Sequence, residues 1–183
     1  MTSTRLLRTV LVALLIACVS APAARAASRQ DLQRDAAKAL KKLYAESDAA
    51  RALGKKARGV LVFPSMVKAG FLFGGQVGEG VLTKNGKVAG FYNSVAASYG
   101  FQAGVQVFGY ALFFMNDDAL AYLDKSSGWE VGVGPSLVVV DEGFGKSLTS
   151  TTISQDVYAF IFDQKGLMGG VGVQGSKITK ISK

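Results

Sequence analysis

The run Gly59-Val60-Leu61-Val62-Phe63, followed by Gly70-Phe71-Leu72-Phe73 and by Val77 to Leu82, stops at Thr83-Lys84-Asn85-Gly86-Lys87. Short apolar runs rich in Val, Phe and Gly predict strands. An Asn-Gly pair between two such runs predicts a two-residue hairpin, because both turn residues must take positive φ. Val88–Ser94 is then the returning strand. The same texture continues through Ser98–Met115, Glu130–Val140, Gln155–Asp163 and Gly166–Thr179, with Asp163-Gln164-Lys165-Gly166 reading as a second tight turn. Asn116-Asp117-Asp118 caps a short helix between two of these runs, closed by Ser126-Ser127-Gly128. All 22 glycines fall between Gly54 and Gly175. Those inside strands, as in Gly132-Val133-Gly134 and Gly169-Gly170-Val171-Gly172, suit sharp bending of a sheet.

Upstream of the first glycine the pattern changes. Leu32, Ala36, Ala39, Leu40 and Leu43 recur at helical spacing within one apolar stripe, and Arg34, Lys38 and Lys41 occupy the opposite face. Ser47-Asp48 offers a cap for a second short helix through Leu53, ended by Gly54. The stripe is Ala-rich and carries no Trp or Phe, so docking on the domain's own sheet is expected ahead of insertion into a membrane. The fold class is therefore α+β: one or two N-terminal amphipathic helices packed on a curled, glycine-rich antiparallel sheet or barrel-like body, with one short inserted helix. A full outer-membrane barrel is not expected. Such a barrel needs strict apolar and polar alternation, whereas Phe71-Leu72-Phe73, Ala111-Leu112-Phe113-Phe114 and Leu137-Val138-Val139-Val140 read as strands buried on both faces.

The chain starts with a processing signal. Arg5 and Arg8 precede an apolar stretch from Thr9 to Ala17, too short to span a bilayer but suited to a signal segment. Ala24-Arg25-Ala26 before Ala27 is an A-x-A cleavage site, making residues 1–26 a signal peptide. Leu15-Ile16-Ala17-Cys18 resembles a lipobox, making residues 1–17 a lipoprotein signal and Cys18 a lipidated residue on a short tether. Both readings export the protein to the periplasmic side of a bacterial envelope, the second as a membrane-anchored lipoprotein. The folded domain then spans residues 28–183.

Composition narrows the chemistry. The sequence contains no histidine, and its single cysteine is Cys18. The usual neutral-pH base, the commonest metal ligand and every Ser-His or Cys-His pair are missing, so no enzyme, cofactor or metal site is expected. Gly143-Phe144-Gly145-Lys146-Ser147 is the nearest match to a phosphate loop, but Val140 stands where the first glycine belongs and a β-favouring Leu148–Ile153 follows. The pairs Asp117/Asp118 and Asp141/Glu142 read as a helix start and a turn.

Charge is segregated. Residues 29–68 carry ten basic and four acidic groups, residues 69–163 four basic and nine acidic, and residues 164–183 four basic and no acidic. A basic pole is drawn to anionic headgroups at about 1 kcal/mol per Lys or Arg. Lys55, Lys56, Arg58 and Lys68 flank Phe63-Pro64-Ser65-Met66, which places cations beside apolar groups as an anionic amphiphile requires. Headgroup on the cations and acyl chain on Phe63 and Met66 is the expected arrangement. Nucleic acid is not expected as a partner.

Ala57-Arg58-Gly59-Val60-Leu61-Val62-Phe63-Pro64, Lys68-Ala69-Gly70-Phe71, Gly74-Gly75 and Gly78-Glu79-Gly80-Val81-Leu82 resemble the opening signature of the SYLF domain family. The resemblance continues in Ser98–Gly104, Gly128-Trp129-Glu130-Val131-Gly132, Lys165–Val171 and Gln174–Ile178, and covers about residues 30–181. It implies a non-catalytic module that binds anionic phospholipids through basic residues and an N-terminal amphipathic helix. Eukaryotic relatives, often joined to SH3 or FYVE modules, bind phosphoinositides, and some fungal ones bind actin. With an export signal and neither module, the expected ligands are phosphatidylglycerol, cardiolipin or phosphatidic acid, and actin is not an expected partner. A lipid-anchored scaffold for another envelope protein is the alternative.

Overall fold

The computed structural model describes residues 28–140 and 154–183 apart from Ser126 and Gly132, and at Leu72, 100–102 and 169–175 the backbone alone. The signal readings over residues 1–26, Cys18, the Gly143–Ser147 loop and the Asp141/Glu142 pair lie outside the described residues.

Helix α1 (Arg29–Glu46) starts at Ser28, whose hydroxyl accepts from the Asp31 N–H at 3.1 Å, and the Asp31 carboxylate sits favourably in the first turn. Helix α2 (Asp48–Gly54) starts likewise at Ser47, which accepts from the Ala50 N–H at 3.1 Å. Both expected helices are present, the second with its expected Ser47 cap. In α1 the buried positions are Leu32, Ala36 and Leu43, three of the five in the stripe read from spacing, with Ala39 and Leu40 partly buried, and each fully buried Leu contributes about 2 kcal/mol.

Three very long strands form most of the sheet: β1 (Gly59–Lys84), β2 (Lys87–Phe114) and β5 (Val157–Ile181). Helix α3 (Asp117–Ala121), its continuing single turn at Tyr122–Asp124, and the short strands β3 (Trp129–Glu130) and β4 (Leu137–Val139) connect β2 to β5. The order is β1-β2-β5-β3, antiparallel throughout this path, with β4 parallel to β5. Asn85 (φ 50°) and Gly86 (φ 73°) form the two-residue hairpin between Lys84 and Lys87. The Asn116 side chain caps α3, accepting from the Ala119 N–H at 2.7 Å.

The runs read from sequence as separate strands are segments of longer, bent ones. Between Phe63 and Met66 the register slips, and Pro64, which has no N–H to donate, sits in that bulge on the edge strand. Asp163–Gly166, expected as a tight turn, is a bulge within β5 opposite Val107–Gly109. Asp163 (φ 52°) and Gly166 (φ 91°) take the positive φ of a turn, but the chain continues along β2. Glu130–Val140, expected as one strand, is broken around Gly134 (φ 92°) and Pro135.

The sheet folds over on itself. At the apex of β1 a Cβ on Gly70 would stand 2.6 Å from Gly74 Cα. Past the apex the second half of β1 returns alongside the first: Thr83 Oγ1 donates to Val60 O at 3.3 Å, and a Cβ on Gly80 would stand 2.6 Å from the Phe63 ring. Two apolar cores result. One lies between the helices and the sheet and includes Leu32, Leu43, Leu53, Val62, Phe113 and Phe160. The other fills the curl and includes Phe63, Met66, Leu112, Phe114, Leu123 and Trp129. Ala111–Phe114 is buried on both faces, as expected, but Phe71 and Phe73 are 75% and 71% exposed and cannot be a doubly buried strand. The protein is α+β with a curled antiparallel sheet.

Candidate functional site

Helix α1 covers the sheet incompletely. Its Leu32, Ala36 and Leu43 seat against β1 and β2, while Leu40, Ala37 and Tyr44 overhang a groove floored by Val62, Val81 and Thr83 and ended by Gly86 and Val88 of the hairpin. The groove holds about 680 Å³, within the range of small-ligand sites. Its floor is apolar because both halves of β1 contribute valines to the same face after the fold-over.

Cations stand on the helical rim. Arg34 is held by Asp31 at 2.9 Å and Asp35 at 3.2 Å, so its charge is largely matched within the helix. Both partners act on it, and Asp31 is in turn held below the usual carboxylate range by the Ser28 hydroxyl first and by Arg34 second. Lys41 makes no salt bridge among the described residues and is the open cation of the rim. Lys42, one position on, is engaged by Asp163 at 2.7 Å, which ties α1 to the bulge of β5. The groove therefore presents a fixed cation, a free cation and an apolar floor, with no carboxylate among its lining residues.

Lys55, Lys56 and Arg58, expected from sequence to hold a headgroup, are exposed on the connection from α2 to β1 and form no salt bridge among the described residues. The Arg58 N–H anchors this connection by donating to Phe114 O at 2.8 Å. Gly54, just before them, packs so closely under Tyr44 that a side chain there would overlap its ring, which puts this basic turn at the Tyr44 end of the groove. Lys68 is elsewhere. It lines a second cavity of about 300 Å³ inside the curl, with Gln76, Ser94, Gln106 and Ser176.

Phe63 and Met66 are 0% exposed and belong to the inner core. The structure thus does not bring them to the surface beside the lysines. The bulge at Pro64–Ser65 and the return of β1 over them account for this, since Gly78 and Gly80 lie directly on Met66 and Phe63. The apolar surface next to the basic turn is the groove under α1, which residue spacing alone did not show. The signal that was present is local: Arg34 and Lys41 border the stripe, and Tyr44 extends it by one position.

The buried ionisable groups are tyrosines. Tyr110 is pushed up to about 12 by burial, and Tyr92 to about 12 by burial and then by Asp124. Both therefore stay neutral across the physiological range. No group of three or more metal-ligating side chains occurs among the described residues, and no described helix is long and apolar enough to cross a membrane.

Residues 95–183 match the family described as Ysc84, Las17-binding protein actin regulator. No curated protein matches the chain. The matched region runs from the middle of β2 through β5 and contains the later of the SYLF-like segments, Ser98–Gly104, Gly128–Gly132 and Lys165–Ile178. That family is lipid-binding and actin-regulating in general. Over residues 95–183 the chain is similar to the Ysc84 family, in agreement with the SYLF resemblance read from its segments.

Proposed function

We propose that this protein binds anionic phospholipids at the periplasmic side of a bacterial envelope, without catalysis. The observation that carries the reading is the apolar groove under α1 with Lys41 and Arg34 on its rim and the exposed Lys55–Arg58 turn at its end. An apolar tail in the groove would remove hydrocarbon from water at roughly 25 cal/mol per Å², while the phosphate meets charge-assisted donors at the rim. Phosphatidylglycerol, cardiolipin and phosphatidic acid all satisfy this chemistry. Export, by A-x-A cleavage or through lipidated Cys18, delivers the domain to such lipids and separates it from actin. A second reading, a lipid-anchored scaffold for an envelope protein, takes its support from the family's description as a protein-binding regulator.

Vesicle co-sedimentation tests the first reading. Changing Lys41, Lys55, Lys56 and Arg58 together to Ala should reduce recovery on phosphatidylglycerol vesicles by about tenfold or more, since each cation contributes about 1 kcal/mol. Recovery equal to wild type, with folding intact, would leave the scaffold reading in its place.

A further inference from the structure

The middle of the sheet is built inside out. Around the fold-over the exposed side chains are apolar: Phe71 and Phe73 of β1, Tyr99 and Val105 of β2, and Leu167 of β5, the last 88% exposed. Val67, Val77 and Val95 extend the same surface towards the body. The side chains turned inward are polar instead, with Gln76, Ser94 and Ser98 buried and Gln106 and Ser176 lining the inner cavity of about 300 Å³. This is the reverse of the arrangement in the rest of the molecule, where Leu112, Phe113 and Phe114 are buried and Lys55, Lys56 and Arg58 exposed.

Charge is absent from the same region. Residues 69–78, 88–116 and 166–176 contain no Asp, Glu, Lys or Arg, and these are the segments that pair with one another at the apex. Charges reappear together where the lobe meets the body. Lys68 and Lys165 lie one residue apart in register across β2, since Val107 pairs with both Val67 and Lys165. On the opposite arm Lys177 pairs with Val95, which pairs with Val77. Of the acids of this collar, Glu79 is engaged by Lys183 at 2.7 Å, Asp163 by Lys42 at 2.7 Å and Lys165 at 3.9 Å, and Glu130 stands opposite Lys177 in register.

We propose that this fold-over is a membrane-penetrating lobe, and that its occupant medium is the hydrocarbon of a bilayer whose anionic headgroups rest on Lys165 and Lys177 of the collar. Apolar outside, polar inside and charge-free between two charged boundaries is the pattern of strands that face lipid. The Phe73 and Tyr99 rings lie tilted against each other at 5.0 Å between centroids, so aromatic surface covers this part of the lobe. From the collar to the apex is about five residues, or about 16 Å of strand, close to one leaflet of a hydrocarbon core about 30 Å thick. Apolar groups on all three strands, instead of one flat patch, fit immersion in a medium better than contact with a single protein face. In the lobe β2 is hydrogen-bonded on both sides, to β1 and to β5, and β1 and β5 on one side each. The inference rests on the membrane-binding function above, and assigns to it a second, penetrating element besides the groove.

The full chain with Phe71→Trp places an indole at the apex, against the constant background of Trp129, which is 1% exposed. On vesicles containing phosphatidylglycerol the added emission should shift to the blue and be quenched by lipids brominated along their acyl chains. Phe71→Asp with Phe73→Asp, both at exposed positions, should weaken vesicle affinity by about tenfold or more, with the thermal unfolding transition unchanged. Vesicle binding without quenching, or undiminished in the double Asp variant, overturns the lobe and leaves the groove reading standing. A double Asp variant that turns an oligomer into a monomer at unchanged vesicle affinity also overturns it, and makes the lobe a contact between copies. No binding to anionic vesicles by any version removes both readings.

Discussion

Asp156 holds together the end of the sheet that the connection from β2 must reach. Its carboxylate accepts from Ser136 N and Ser136 Oγ at 2.8 Å each and from Asn116 Nδ2 at 2.7 Å. These bonds, the Ser136 backbone N–H first, hold its pKa below the usual carboxylate value of 3.8. A depressed folded pKa means stability that is present above pH about 4 and lost as pH falls through the lower folded value. Asp156→Ala should therefore destabilise by about 2 kcal/mol at pH 7, read by urea unfolding, and the gap to wild type should shrink below pH 4. A gap that widens on acidification would contradict the assignment. At this scale two caps were legible: Ser47 and Asn116 each precede a helical run and each accepts an N–H of its first turn. Phe63 and Met66 were not. Basic neighbours and a proline make the segment look like a surface turn, and only the distant glycines 78 and 80 bury it.

The strands carry the largest departure from the sequence reading. Asn85-Gly86 announced its hairpin because the two-residue turn is a local requirement on φ. Asp163 and Gly166 satisfy the same local requirement and yet mark a bulge, because whether a positive-φ pair reverses the chain depends on the partner strand, which is far away in sequence. Likewise the glycines were legible as sites of bending, but not as the single fold-over that returns β1 on itself. That fold-over is testable at Gly80, where a side chain meets the Phe63 ring. Gly80→Val should cost about 1–3 kcal/mol by overpacking, seen as a lowered thermal midpoint. An unchanged midpoint would show that the two halves of β1 do not lie together.

For the whole molecule, the α+β class and the packing of α1 on the sheet followed from where glycine begins and from one apolar stripe. The placing of function did not follow. A linear count of charge finds two basic ends, but only the folded chain shows that the groove, its basic turn and the uncharged lobe are built by the same long strands. The central claim is that this assembly recognises anionic bilayers by charge and apolar contact together. The most direct measurement is the binding isotherm of the full chain on phosphatidylglycerol-containing and on purely phosphatidylcholine vesicles, at low and at high salt. The account predicts tight binding to the anionic vesicles that weakens as salt screens the cations but does not vanish, because the apolar contribution is insensitive to ionic strength. Equal affinity for both compositions at every salt concentration would contradict it.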